Sequence, residues 1–207
     1  GLIYTLIFKQ YFFNRDNISV APERGDFVVD GGACLGDTAL AFSNAVGEKG
    51  RVYSFDPVED NLEVLEENVK IFPYKNIDIF PCGLSDKNKD GTPIRLNSYA
   101  PGFNIFAAEM NNIRLPLRTI DYLVDSGEIE KINFLKLDVE GSEMATLRGA
   151  RNSIDRFKPK LAISIYHKPD DFFEIINYIK ENHKYYKLYV DHYTVHREET
   201  VVYGLPY

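Results

Sequence analysis

Val28-Val29-Asp30-Gly31-Gly32-Ala33-Cys34-Leu35-Gly36-Asp37-Thr38 runs from a short apolar strand through an acidic residue and a glycine turn into a helix start. That order builds a nucleotide-type pocket at the carboxyl end of a parallel strand. The glycines discriminate between nucleotides. A dinucleotide fingerprint needs glycine at its first, third and sixth positions, so that backbone can approach a pyrophosphate. Counted from Gly31, the third position is Ala33, and the pattern fails where the phosphate needs it. Asp30 would also add negative charge beside that pyrophosphate. An acidic residue suits a ligand with a cationic end. S-adenosylmethionine carries an ammonium, a sulfonium and no phosphate, so the loop reads as a methyl-donor site before a NAD site.

The 207 residues suit one domain, 1–207, with a sizeable core. With 44% hydrophobic residues, a packed globule is expected rather than disorder. Lys and Arg number 24 against 31 Asp and Glu, a net charge of −7, and no basic run or basic helix face is visible. Nucleic-acid binding therefore lacks electrostatic support. Cys34 and Cys82 form neither a disulfide framework nor a metal-ligand spacing, and a reducing cytoplasm is the simpler expectation. No apolar run is long enough to span a bilayer. Residues 1–25 read as an N-terminal packing segment, helix or strand, without a signal-peptide cleavage pattern and expected to continue upstream of Gly1.

Strands and helices alternate along the chain, which argues for a parallel sheet covered on both faces. Strands are expected at 26–30, 51–56, 77–81, 132–138 and 161–166, with helices over 36–46 and from Pro57. Asp56 and Glu59 resemble a capping box for the second helix. Its apolar face is Val58, Leu62, Leu65, Val69 and Phe72. Segment 85–117 breaks the alternation and reads as a hairpin and loop insertion near the active site. Within it, Asp90-Gly91-Thr92-Pro93 is a turn, 94–97 a hairpin arm and 98–112 a mobile loop. A short strand at 115–117 and a short helix at 119–124 follow. Ser142 is placed to cap a helix whose core face is Met144, Leu147, Ile154 and Phe157. Phe172, Ile175, Ile176 and Ile179 are expected to face inward from the next helix. Segments 186–191 and 200–203 can close the sheet as an antiparallel pair. The fold expected is a seven-stranded, mostly parallel α/β sheet with an antiparallel last strand.

Several strand ends carry chemistry. Asp56 ends the second strand, where an acid can accept both ribose hydroxyls; the plain alternative is a helix N-cap. Cys82-Gly83-Leu84-Ser85-Asp86 offers backbone and side-chain groups for an adenine edge, or an ordinary turn. Phe134-Leu135-Lys136-Leu137-Asp138-Val139-Glu140-Gly141-Ser142-Glu143 delivers three carboxylates to one strand end. Such a cluster is costly unless it binds a cation or holds a substrate. Glu143 has the simpler reading of an acid in a first helical turn. His167 ends the next strand, beside Asp138 if the strands are neighbours, and a carboxylate with an imidazole can orient or deprotonate a hydroxyl. A lone His at a strand end is usually solvated or capping, which is the plain alternative for His167 and weighs more against His192, at the end of a later strand. His183 and His196 read as surface positions. Tyr185, Tyr186, Tyr189 and Tyr193 read as amphipathic strand. No Gly-x-Ser-x-Gly nucleophile motif is present.

Taken together, Asp30-Gly31-Gly32-Ala33 to Asp37-Thr38, Phe55-Asp56-Pro57, Gly83-Leu84-Ser85-Asp86, Leu117-Arg118-Thr119-Ile120-Asp121, Phe134 through Arg148, and Ile163-Ser164-Ile165-Tyr166-His167 with Pro169-Asp170-Asp171 resemble the FkbM-type methyltransferase family. The segment from Tyr186 to Tyr203 resembles a branch of it. The resemblance covers nearly the whole chain and is most specific in Lys136 to Glu143. It implies the class I, Rossmann-like methyltransferase fold and methyl transfer from S-adenosylmethionine, usually to a hydroxyl of a small metabolite or sugar. By that analogy Asp30, Gly32 and Gly36 shape the methionine pocket, Asp56 holds the ribose, and Gly83 to Asp86 flank the adenine.

The expected cofactor set is Asp30, Gly31, Gly32, Ala33, Gly36, Asp37, Thr38, Asp56, Pro57, Gly83, Leu84, Ser85 and Asp138. The expected catalytic set is Asp138, His167 and Glu140. No residue is assigned to a metal, although a variant places a divalent cation such as Mg²⁺ at Asp138 and a neighbouring carboxylate. The expected partners are a small-molecule or carbohydrate acceptor and a second copy as homodimer, without nucleic acid or membrane. The rival readings are a non-catalytic binding subunit of the same fold and, disfavoured by Ala33, a NAD-dependent oxidoreductase. Fold alone does not separate them.

Overall fold

The structure, a computed structural model, describes residues 3–93, 114–196 and 198–207. A π-helical turn, Ile3–Ile7, precedes a two-stranded hairpin of β1 (Phe13–Arg15) and β2 (Ile18–Val20). Then come β3 (Phe27–Gly31), α1 (Asp37–Val46), β4 (Arg51–Phe55), α2 (Glu59–Ile71) and β5 (Ile77–Phe80). A side sheet follows, made of β6 (Gly83–Leu84), β7 (Lys89–Pro93) and β8 (Arg114–Arg118), and leads into α3 (Ile120–Asp125). The second half runs β9 (Phe134–Leu137), α4 (Glu143–Arg148), α5 (Arg151–Phe157), β10 (Lys160–Ser164), α6 (Asp171–Asn182), β11 (Tyr186–His192) and β12 (Thr200–Pro206).

The main sheet has seven strands in the order β11-β12-β10-β9-β3-β4-β5. Strands β10, β9, β3, β4 and β5 pair in parallel, and β12 is antiparallel to both neighbours. The side-chain period of two sends successive residues to opposite faces. Val28, Val52, Phe134 and Ala162 pack with Phe42 of α1 and with Tyr11 and Phe13 of the N-terminal segment. Val29, Tyr53, Leu135 and Leu161 pack with residues of α3, α5 and α6. Both faces are covered, which explains why the central strands read as unbroken apolar runs. Chain order reverses between β3 and β9, and the crevice at such a switch point is where ligands bind in open α/β sheets.

Local details depart from expectation. Asp90-Gly91-Thr92-Pro93 belongs to β7 instead of forming a turn. Its pairing with β8 shifts register between Lys89 and Thr92, and Gly91 takes a φ of 64°, so an irregularity absorbs the Asp-Gly pair. The hairpin arm at 94–97 and the loop at 98–112 lie outside the described residues. The capping box at Asp56 and Glu59 does not form: Val58 is the N-cap of α2, and Asp56 Oδ1 accepts its N–H at 2.9 Å. Ser142 stands at the N-cap of α4, but its hydroxyl makes no cap.

The expected single helix after Ser142 is two helices. Gly149, at the break, approaches the strand-end turn so closely that a Cβ would stand 2.1 Å from Ser85 O. Asp121 then captures the new start, accepting from the N–H groups of Asn152 and Ser153 at 3.1 and 2.8 Å. Phe172 is 41% exposed instead of facing inward, whereas Ile175 and Ile179 are buried. His183, expected at the surface, is buried with Nδ1 2.8 Å from Asp155 Oδ1. Among the described residues no helix is long and apolar enough to cross a membrane.

Candidate active site

The loop after β3 is held by backbone before any side chain contributes. Gly32 has a φ of +78°, and a Cβ there would lie 1.9 Å from the Asp138 carbonyl oxygen. Only glycine satisfies both conditions. The ends of β3 and β9 therefore touch at the switch point. The N–H groups of Gly32 and Ala33 both donate to Phe55 O, at 2.9 and 3.0 Å, which ties the loop to the end of β4. Gly36, with a φ of 96°, closes the loop as the N-cap of α1.

Asp30 was expected to meet a cationic ligand, and its carboxylate lies at 0% exposure with a cation of the chain's own. Lys136, 1% exposed, places Nζ 3.0 Å from Asp30 Oδ1. The same ammonium donates to Gly31 O and Gly32 O at 3.0 and 2.8 Å and faces the Tyr11 ring at 5.2 Å. Thr38 Oγ1 adds a bond to Asp30 at 2.8 Å. Burial acts against charge on both partners, raising the Asp30 pKa and opposing protonation of Lys136. Asp30 and Asp138 more than offset this for Lys136, whose pKa rises, so the ammonium keeps its charge. Asp30 and Thr38 thus shape the loop from beneath.

Asp56 is fixed beside that loop. Its Oδ1 accepts from Val58 N and Asn61 Nδ2, and its Oδ2 from Cys34 N at 3.0 Å. A carboxylate offers about four acceptor sites, so Oδ2 keeps one for a hydroxyl. Asn61 Oδ1 is a second acceptor, buried and without a partner. Pro57 packs near Gly83, where a Cβ would meet Pro57 Cβ at 3.9 Å. This brings β6 and the following turn next to Asp56. Leu84 and Ser85 are buried there, but Ser85 N is already given to Arg118 O at 2.9 Å. A left-handed glycine loop against a strand end, an acid with a free acceptor site and an orphaned amide oxygen fit the ribose and methionine ends of S-adenosylmethionine.

Across the switch point the charges are arranged differently. Asp138 follows β9. Its Oδ2 accepts Tyr11 Oη at 2.8 Å and its Oδ1 accepts Tyr166 Oη at 3.1 Å. His167, reached from β10, sets Nε2 3.5 Å from Asp138 Oδ1 and 3.6 Å from Glu140 Oε2. Its Nδ1 lies 2.9 Å from Glu143 Oε1, an ion-pair contact not aligned as a hydrogen bond. Burial would lower the His167 pKa, but Glu143, Asp138 and Glu140 outweigh it and push it up to about 9. Burial would raise the Asp138 pKa, but Lys136 and His167, with hydroxyls of Tyr11 and Ser164, hold it below the usual carboxylate value. Burial pushes the Glu140 carboxyl up, against the pull of His167. At neutral pH the centre is a carboxylate beside an imidazolium.

The expected catalytic residues Asp138, Glu140 and His167 are thus brought together; His192 is exposed and paired with Thr200 Oγ1 at 2.8 Å. Asp138, Glu143 and His167 each offer a ligand atom within 4.8 Å of the others, the one such grouping among the described residues. Burial pushes Cys34 and Cys82 up to about 12 and about 11, which removes both as thiolate nucleophiles. Tyr11, Lys136 and the inward role of Glu143 were missed. Tyr11 reaches its partner across 127 positions, with no local signal. Lys136 was legible as a lone charge inside an apolar strand.

The chain matches the methyltransferase FkbM domain family over residues 30–186. Hexuronic acid methyltransferase AglP of Haloferax volcanii is 33% identical over 138 residues, covering 64% of this chain and 53% of that protein. Methyltransferase 1 of Beauveria bassiana is 23% identical over 168 residues, covering 69% of this chain and 66% of that protein. The crystal structure of methyltransferase FkbM from Methylobacillus flagellatus KT superposes with a TM-score of 0.73 at 26% identity, over 95% of this chain and 47% of that one. Fibrillarin of Aeropyrum pernix, solved with natively bound S-adenosyl-L-methionine, shares the fold at a TM-score of 0.59 and 14% identity, over 92% of this chain and 70% of that one. The chain therefore spans about half the length of AglP and of the Methylobacillus protein. With the family's match running from Asp30 through the Asp138 and His167 strand ends, this chain belongs to the FkbM methyltransferase family and has the class I methyltransferase fold.

Proposed function

We propose that this chain is an S-adenosylmethionine-dependent O-methyltransferase whose acceptor is a hydroxyl on a small sugar-type metabolite. The observation that carries the reading is the contact of Gly32 with the Asp138 carbonyl. It brings the glycine loop directly beside a carboxylate–imidazolium pair. The family membership supports methyl transfer, and the similarity to a protein named for hexuronic acid supports a sugar acceptor.

When bound, S-adenosylmethionine supplies an electrophilic methyl group on its sulfonium. The residues to hold it are the backbone of Gly31 to Gly36, the free acceptor sites of Asp56 and Asn61, and the turn from Gly83 to Ser85. The protein then has two tasks, alignment of the acceptor oxygen and removal of its proton. Beyond the hydroxyls of Tyr11, Tyr166 and Ser164, Asp138 keeps an acceptor site, so it holds the acceptor hydroxyl and, its own pKa being held low, receives the proton only as the methyl arrives and the oxygen turns acidic. His167 was expected to orient or deprotonate. With a pKa pushed up to about 9 it already carries a proton at neutral pH, so it orients the oxygen and steadies its developing charge. Glu140 adds to the negative field that keeps His167 charged.

The test is incubation with methyl-labelled S-adenosylmethionine and a panel of monosaccharides, uronic acids and simple alcohols. Label is expected in a base-stable ether on a sugar. Label in no acceptor, or only in amines, would contradict the reading.

A further inference from the structure

Glu143 opens α4, where an acid is ordinarily explained by the helix start. Its side chain is not at the surface but at 0% exposure. Oε1 accepts the Val139 N–H at 2.8 Å and the Gly141 N–H at 3.4 Å. The carboxylate thus folds back over the turn that carries Asp138 and Glu140. That turn is tight, with left-handed φ values of 51° at Glu140 and 91° at Gly141. The same Oε1 is the atom 2.9 Å from His167 Nδ1, while Oε2 is buried with no hydrogen-bond partner. A buried carboxylate is costly unless its charge is met.

On the opposite edge of the imidazole, Nε2 stands 3.5 and 3.6 Å from Asp138 and Glu140. Both distances are long for an N–H···O bond, so this nitrogen is committed to neither carboxylate. We propose that Glu143 is a positioning residue for His167: its buried charge beside Nδ1 holds that edge of the ring inward and leaves Nε2 facing the acceptor position between Asp138 and Glu140, free to donate. A carboxylate on the far nitrogen is how an imidazole's orientation and tautomer are fixed. The proposal extends the reading of His167 as an acceptor-facing group but concerns only the ring's orientation and proton.

The charged and titratable groups acting on His167 come from several elements. Asp138 and Glu140 lie in the turn after β9, Glu143 on α4 and Asp171 at the start of α6; Glu199 precedes β12. The Tyr166 ring lies 4.2 Å from the imidazole, centre to centre. Removing the charge of Glu143 alone therefore shifts His167 only in part. Glu143→Gln is the informative change, because its amide oxygen can still accept from Val139 N while the negative charge on Nδ1 is lost.

The experiment is a pH titration of the ¹⁵N-histidine-labelled chain by NMR, with His167→Gln used only to assign the signal. The wild type is expected to titrate near pH 9 and to keep the proton on Nδ1 once neutral. Glu143→Gln is expected to lower the midpoint by about one unit, a tenfold loss of proton affinity, and to move the neutral proton toward Nε2. An unchanged midpoint and tautomer in Glu143→Gln would overturn the proposal, leaving Glu143 as a support for the turn alone. Should that variant not fold, the wild type still decides: a midpoint near 6.5, or a neutral form protonated on Nε2, overturns it. The readout is a nuclear resonance, so failure to find methyl transfer leaves this result independent.

Discussion

The two sides of the switch point handle charge in opposite ways. Beneath the glycine loop, Asp30 and Lys136 are both buried and matched to each other, with Thr38 and two loop carbonyls completing the set. Around Asp138, three carboxylates share one imidazole, two contacts exceed hydrogen-bond length and a carboxylate oxygen goes unpartnered. The first arrangement is closed and gives the loop a fixed backbone. The second is open, and its charge state depends on pH. A donor that is the same in every turnover suits the closed side. An acceptor whose proton must leave suits the open one.

Lys136→Met breaks the closed side most severely. It leaves Asp30 buried without its cation, and losing one partner of a buried pair costs about 3–5 kcal/mol. Urea denaturation measures it, and a loss below about 1 kcal/mol would show the pair to be dispensable. The open side should respond to pH through His167. The His167 pKa is raised on folding, so its stabilisation is complete below about pH 6.5, its unfolded value, and is lost as pH rises through about 9. The separation corresponds to about 3 kcal/mol. Melts between pH 6 and 10 should show the decline, and His167→Asn should flatten it.

The same variant sharpens the division in function. Turnover should fall on the order of 100-fold, the usual scale for a lost donor that stabilises developing charge, while S-adenosylhomocysteine affinity changes little. Equal turnover would remove His167 from the mechanism. Tyr11→Phe is the mildest test. It removes one donor to Asp138 and should cost about 1–2 kcal/mol, with the Asp138 pKa rising. A melt identical to wild type would mean that the N-terminal segment does not brace the site.

How much of this was legible follows the same line. The strand–glycine–helix order, the acid ending β4, Asp138 and His167 on neighbouring strand ends and the antiparallel closing strand were all readable, because each is a local pattern feeding a fixed topology. The partners of those residues were not. Asp30 gave no sign of its own cation, which stands 106 positions away in β9. Tyr11 carried no signal within a segment read only as packing. Glu143 looked like an ordinary helix-start acid because its inward fold depends on the left-handed turn before it. His183 looked exposed because its partner Asp155 sits on another helix. Asp90-Gly91 looked like a turn because a strand irregularity uses the same residues as one.

The central claim is that the loop after β3 binds a methyl donor and not a dinucleotide. Calorimetric titration of the chain with S-adenosylhomocysteine, and separately with NADH, tests it most directly. Saturable binding of S-adenosylhomocysteine with no heat from NADH is the predicted result. Binding of NADH with no response to S-adenosylhomocysteine would contradict it.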